Sequence, residues 1–159
     1  MSGPIASHAA QLIFALRSAR DDLTAARVSH ARLFIGPYEV RAPAYASLYL
    51  DPARRLMGHT SQQAASFYAE AGLSPGDGPR DAPDHLLYEL EFMYFLRFQE
   101  LETGQSTWPE IRRRFWSQHL SRWLPRMVAL IRADGDAHPI HAALAELTDD
   151  LIAVEAAQN

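Results

Sequence analysis

DHLLYELEFMYFLRFQELETG, residues 84 to 104, is the stretch that decides the fold. Apolar residues fill nearly every position from Leu86 to Phe98, and their spacing of three and four predicts a helix. Asp84, directly after Pro83, is an acidic N-cap signal that also complements the helix dipole. Because a helix that is apolar all round belongs at the centre of a fold, we expect this one in the core.

The rest of the chain shows the same helical spacing, with abundant alanine and leucine and no strand-length alternation. We expect an all-α protein, a compact single-domain helical bundle of about six helices over residues 1–159. The predicted helices cover approximately residues 5–17, 20–34, 61–71, 84–104, 107–133 and 138–156. Thr107 to Glu110 forms a predicted capping box, and Pro125 should kink or break the helix that follows it.

Two helices show apolar stripes that should pack into the core. The first helix carries Leu12, Ile13 and Leu16, and the last carries Ile140, Leu144, Leu147, Leu151 and Val154. Gly36-Pro37 should end the second helix, and an irregular loop from Tyr38 to Ala46 follows. Residues 74–83, rich in proline and glycine, should form a flexible surface loop.

Composition excludes several classes of function. The 159 residues contain no cysteine, and all 15 basic residues are arginines, so thiolate metal sites, Schiff-base chemistry and a Walker-type phosphate loop are absent. The net charge of −4 argues against nucleic-acid binding. No apolar run is long enough to span a membrane and no secretory signal is recognisable, so we expect a cytoplasmic protein.

Catalytic motifs are also missing, and we expect neither a cofactor nor a metal. His138 and His141 could share a helix face, but His138 reads as an N-cap. Asp84 and His85 are adjacent at a helix start and should not face one another. The alternative of a small helical enzyme or nucleotide-dependent factor would use Asp84 with His85, and Glu89 with Glu91.

Large amphipathic aromatic side chains offer a second kind of chemistry, the gripping of a partner peptide. They are Tyr38, Tyr45, Tyr49, Tyr88, Trp116 and Trp123. Each of these rings would serve equally well in a helical core.

Three stretches in order carry a resemblance to one family. They are ARLFIGP with APAYASLY (residues 31–37 and 42–49), APDHLLYELEFM (82–93) and FWSQHLSRWLP (115–125). Together they resemble the signatures of the TorD/DmsD redox-enzyme maturation chaperones. The resemblance implies an all-helical cytoplasmic chaperone, not an enzyme. Such a chaperone binds the twin-arginine signal peptide, or the apo-form, of a molybdopterin oxidoreductase catalytic subunit until its cofactor is inserted.

The resemblance and the residue chemistry together give a set of candidate binding residues. They are Pro83, Asp84, His85, Glu89, Phe92, Tyr45, Tyr49 and Phe34, whereas Leu90 and Met93 should be structural. Asp84 and Glu89 could bind guanidinium groups, aromatic rings near Tyr45 and Tyr49 could hold apolar residues, and His85 could make the grip pH-sensitive. Asp84 could equally be a plain N-cap.

The chain departs from the family by having less helix before the first signature. The groove could therefore be incomplete, and a partner chain could replace the missing part, since swapped dimers are known in the family. A homodimer is one expectation. A shortened relative that has lost peptide binding and acts as a structural partner is another.

Overall fold

A computed structural model describes residues 3–20, 23–36, 39–74 and 81–158 of the chain. Its α-helices are α1 (Pro4–Ser18), α2 (Thr24–His30), α3 (Ser47–Leu50), α4 (His59–Glu70), α5 (Leu86–Thr103), α6 (Thr107–Gln118), α7 (Leu124–Ala133) and α8 (Pro139–Ala157). A π-helical turn (Ala31–Ile35) continues α2, and a 3₁₀ turn (Leu120–Arg122) follows α6. Within these ranges there is no strand, which confirms the all-α class.

The helix count exceeds the expected six because of α3 and a break between α6 and α7. The break lies at His119 to Trp123, directly before Leu124 and Pro125, so the predicted division of this helix into two pieces is confirmed. Pro125 occupies the first turn of α7, where its missing N–H is not needed. The predicted capping box is wrong, because Ser106 is the N-cap of α6 and its side chain makes no capping hydrogen bond.

The π-helical turn ends where the sequence predicted the second helix to end. The Gly36 N–H donates to the Ala31 carbonyl at 2.7 Å, five residues back, with Gly36 at a φ of 87°. This φ favours glycine, which has no Cβ to clash. Pro37 and Tyr38 lie outside the described residues, as do Asp21, Asp22 and residues 75–80 of the predicted 74–83 loop.

The chain divides into two compact units. The first comprises residues 1–43 and 125–158, and the second comprises residues 44–124. None of the helices in the described ranges combines the length and the hydropathy needed to cross a membrane.

The core of the second unit is a cluster of aromatic rings from α4, α5 and α6. Phe92 packs against Tyr68 and Phe115 with ring centroids 4.8 and 5.0 Å apart, and Phe115 meets Phe67 at 5.3 Å. Edge-to-face contacts at these separations stabilise the cluster beyond the burial of apolar area.

Helix α5 is not buried on all sides, contrary to the prediction. The aromatic residues of α4 and α6 pack on the face that carries Phe92 and Leu96, which are 2% and 0% exposed. The opposite face carries large apolar residues that are exposed, among them Leu90, which was expected to be structural. Apolar residues at nearly every position show that a helix lacks a polar face. They do not show how many of its faces the neighbouring helices cover.

The first unit is built from α1 and α2 packed against α8, with His8 and Asp150 in contact at 2.7 Å. Four small side chains of this unit are buried: Ala15 in α1, Ala19 directly after it, and Ala143 and Ala145 in α8.

The predicted apolar stripes of α1 and α8 are therefore only partly right. Five of their members are 40–53% exposed, namely Ile13, Leu16, Leu144, Leu151 and Val154.

Candidate functional site

The loop before α3 is joined to the start of α5 by an antiparallel bridge. The Leu86 N–H donates to the Ala44 carbonyl at 2.9 Å, and the Ala46 N–H donates to the Asp84 carbonyl at 3.0 Å. This pairing brings the rings of Tyr45 and His85 together, edge to face, with centroids 4.8 Å apart. Two stretches that are far apart in the sequence thus meet at one surface.

The Asp84 side chain points into the second unit and is fully buried. One carboxylate oxygen accepts from the Ser47 N–H at 2.7 Å, and the other accepts from the Ser61 hydroxyl. Asp84 therefore caps the start of α3 and attaches α4, and the prediction that it caps its own helix is wrong. The carboxylate is closed to a peptide in this conformation.

His85 is the N-cap of α5. Its Nδ1 accepts from the Leu87 N–H at 3.1 Å, so the ring proton of the neutral imidazole is on Nε2. The half-buried ring lies between Tyr45 and Tyr88, whose centroid is 6.2 Å away. Asp84 and His85 point in different directions, as expected for neighbours at a helix start.

An exposed carboxylate, Asp81, completes this surface and was not among the predicted site residues. The Tyr45 hydroxyl donates to the Asp81 carboxylate, with both oxygens at 3.0 Å, and the Asp81 N–H donates to the Tyr88 hydroxyl at 3.3 Å. Burial and then this hydrogen bond raise the pKa of Tyr45 to about 12, so the phenol keeps its proton at neutral pH. Asp81 lay within a segment assigned to a flexible loop, which gave no signal for it.

Pro83 is held from the core side of the same turn. Its carbonyl accepts from the Tyr68 hydroxyl of α4 at 2.8 Å. Burial, followed by the negative charges of Glu89 and Asp84, raises the pKa of Tyr68, so this phenol remains a donor. We refer to Asp81, Pro83 and His85 with Tyr45 and Tyr88 as the turn surface; the buried Asp84 lies beneath it.

Glu89 belongs to a buried polar network and not to the turn surface. Its carboxylate accepts from the Trp123 Nε1–H at 2.9 Å and contacts the His119 Nε2 at 2.7 Å, and all three side chains are fully buried. Burial raises the pKa of Glu89, and the hydrogen bonds with His119 and Trp123 act against that rise. The sequence correctly indicated that Glu89 needs a partner, but it did not identify His119.

The remaining candidates support the structure around the turn surface or lie elsewhere. Phe92 is a core residue, and the Tyr49 ring packs against the Trp123 ring in a tilted arrangement with centroids 5.4 Å apart. Phe34 belongs to the first unit, where it packs against His30 and His141 at 5.1 and 5.8 Å. Of the eight candidates, the structure brings three to the turn surface, namely Tyr45, Pro83 and His85, and Asp84 is buried beneath it.

The two histidines of α8 form part of a cluster in the first unit. The His138 Nδ1 accepts from the Ile140 N–H at 3.2 Å, which confirms it as the N-cap of α8. His141 is buried beside His30 and contacts the Ser29 hydroxyl at 3.1 Å. Burial, then the nearby His30 and His138, lower the pKa of His141. Among the described residues, no group of three acidic or histidine side chains could hold a metal ion.

The carboxylates of the enzyme alternative are not arranged for catalysis. Asp84 and Glu89 each hold structural hydrogen bonds in the core, and Glu91 is exposed on the far side of α5. The site offers instead an exposed carboxylate framed by aromatic rings, which can bind a cationic group.

The family model described as nitrate reductase delta subunit matches residues 1–129. A selenate reductase assembly chaperone protein from Thauera selenatis is 35% identical over an alignment of 113 positions. The alignment covers 65% of this chain and 58% of the length of that relative.

The family match covers more than half of the chain and includes all three quoted signatures. It confirms the resemblance to the TorD-type proteins, which are assembly chaperones of redox enzymes and not enzymes themselves. The chain belongs to the nitrate reductase delta subunit family of TorD-type chaperones.

Proposed function

We propose that this chain is a cytoplasmic assembly chaperone for the catalytic subunit of a molybdopterin oxidoreductase. It binds the subunit's twin-arginine leader peptide at the turn surface and holds the apo-subunit until the cofactor is inserted. Family membership supports the role of chaperone, and the likeness to a selenate reductase assembly chaperone supports a reductase as the client.

The observation that carries the peptide-binding proposal is the exposed Asp81 carboxylate between Tyr45 and Tyr88. The edge of a guanidinium group can donate hydrogen bonds to a carboxylate while its face packs on an aromatic ring, so this surface fits arginine better than lysine. His85 adds an Nε2–H that can donate to a peptide carbonyl, because its Nδ1 is used in the cap.

The buried candidates act in this proposal by positioning the turn. Asp84 fastens it to α3 and α4, and Glu89 with His119 and Trp123 anchors the next turn of α5. Substitution of either residue should affect folding before it affects recognition.

Calorimetric titration with leader peptides of reductase catalytic subunits tests the proposal. We expect a leader with paired arginines to bind, the same leader with paired lysines to bind more weakly, and Asp81→Asn to weaken the first complex by about tenfold. Glu39→Gln, which removes an exposed carboxylate from the first unit, is the matched control and should leave binding unchanged. Failure of every leader and every apo-subunit to bind would exclude the proposal and favour a purely structural partner.

A further inference from the structure

Five large apolar side chains of α5 lie exposed in one row. They are Leu87, Leu90, Tyr94, Phe98 and Leu101, between 45% and 73% exposed. Their spacing of three, four, four and three residues puts them on one face of the helix, and we call this row the apolar stripe. At 1.5 Å per residue it is about 21 Å long.

Such a row differs from the scattered apolar residues of an ordinary surface. A contiguous apolar patch with a polar edge marks an interaction site in most soluble proteins. Burial of Tyr94 and Leu101, both 73% exposed, would add a hydrophobic contribution that the free chain does not obtain. The stripe is therefore a surface that a partner can cover.

The charged residues beside the stripe indicate the charge of that partner. Glu91 and Glu102 are exposed on α5, and no ion pair engages either of them within the described ranges. The exposed cation of the helix, Arg97, is paired with Glu100 at 3.1 Å. Asp81 adds an exposed carboxylate beyond the N-terminal end of the helix. An apolar partner with a positively charged end complements this surface.

The stripe is continuous with the turn surface. Leu87 follows His85 by two residues, and its N–H is the group that His85 caps. We propose that the apolar stripe is the docking surface for the apolar run of the client's leader peptide, an inference that rests on the proposed function. The paired arginines lie at Asp81, and the apolar run extends along α5 from Leu87 towards Leu101.

The length of the stripe fits this occupant. The apolar run of an export leader has about 7–15 residues. Seven extended residues or fourteen helical residues cover about 21–23 Å, the length of the stripe. A longer apolar segment, such as a membrane-spanning helix of about 20 residues, would extend beyond it.

A thermodynamic cycle between the stripe and the leader tests the inference. The protein variant is Tyr94→Ser/Leu101→Ser, and its matched control is Phe14→Ser/Val28→Ser, which removes side chains 72% and 62% exposed from the first unit. The peptides are a leader that binds the wild type and the same leader with serines in its apolar run. Circular dichroism and a urea titration establish that each variant is folded.

We expect the stripe variant to bind the leader about tenfold more weakly, and the control variant to bind like the wild type. The serine-substituted leader should bind weakly to the wild type. Its affinity for the stripe variant should be within about twofold of that value, because the two changes remove the same contact. Equal affinity of the stripe variant and the wild type for the leader would overturn the inference and leave the proposed function standing.

Two other results would also overturn it. In the first, light scattering shows that the wild type is a dimer and the stripe variant a monomer, while both bind the leader with the same affinity. This result would assign the apolar stripe to contact with a second copy of the chain. Absence of leader binding by the wild type would overturn the proposed function first, and this inference with it.

Discussion

Replacement of the buried Asp84 by alanine should destabilise the second unit more than any change at the turn surface. The substitution leaves the Ser47 N–H, which is fully buried, without an acceptor, at a cost of about 1–3 kcal/mol. It also removes the bond from the Ser61 hydroxyl, worth about 1 kcal/mol, since a hydroxyl can turn to another acceptor. We expect a total loss of about 2–4 kcal/mol in the free energy of unfolding.

Two further variants distinguish the role of the Asp84 carboxylate as a hydrogen-bond acceptor from the effect of its negative charge. Asp84→Asn keeps one oxygen that can accept from the Ser47 N–H, and should cost about half as much. Asp81→Asn changes an exposed group, and should cost less than about 0.5 kcal/mol.

Urea denaturation followed by tryptophan fluorescence measures the loss of unfolding free energy in the second unit, which contains Asp84. All three tryptophans, Trp108, Trp116 and Trp123, lie in the second unit. Equal unfolding free energies for Asp84→Ala and Asp81→Asn would refute the assignment of Asp84 as the buried cap of α3. A stable Asp84→Ala protein that loses leader binding would instead show that Asp84 recognises the peptide directly.

Three further predictions concern stability alone. Glu89→Ala should lower the free energy of unfolding by about 3 kcal/mol or more, because His119 and the Trp123 Nε1–H lose their partner in the core. An equal loss for Glu91→Ala in a urea titration would contradict this. Because the pKa of His141 is lowered from 6.5 in the folded state, the unfolded chain binds more protons, and stability should fall as the pH drops below 6.5 by up to about 1.4 kcal/mol per unit from this group. In circular-dichroism melts, His141→Gln should reduce that slope, and an unchanged slope would exclude this source. Gly104→Ala should cost about 1 kcal/mol because Gly104 ends α5 at a φ of 64°, whereas Gly135→Ala, which has open space and no positive φ, should cost little.

The all-helical class and the family could be predicted from the sequence because they depend on local spacing and on ordered signatures. The buried face of α5 could not be predicted. Apolar residues surround the helix, so the sequence does not indicate which face the rings of Tyr68 and Phe115 cover. Pro125 correctly predicted that the helix after Thr107 divides into two, but not the bounds of the break. A proline in the first turn of a helix is harmless, and only the structure shows where that first turn lies.

The sequence predicted the turn at the start of α5 as the candidate site, but it did not predict which side chains of that turn face the core. A motif shows that Asp84 and His85 are neighbours, but the backbone direction at the helix start decides that Asp84 faces inwards and His85 outwards. The contribution of Asp81 depends on Tyr45, 36 residues away, and no local pattern encodes that contact.

Hydrogen exchange of the chain with and without a client leader peptide tests the central claim most directly. Leader binding should slow the exchange of backbone amides in residues 81–88 and in the paired segment 44–46, and leave residues 139–157 of α8 unchanged. Protection confined to the first unit, or none anywhere at leader concentrations that saturate the chain in calorimetry, would contradict the assignment of the turn surface as the peptide-binding site.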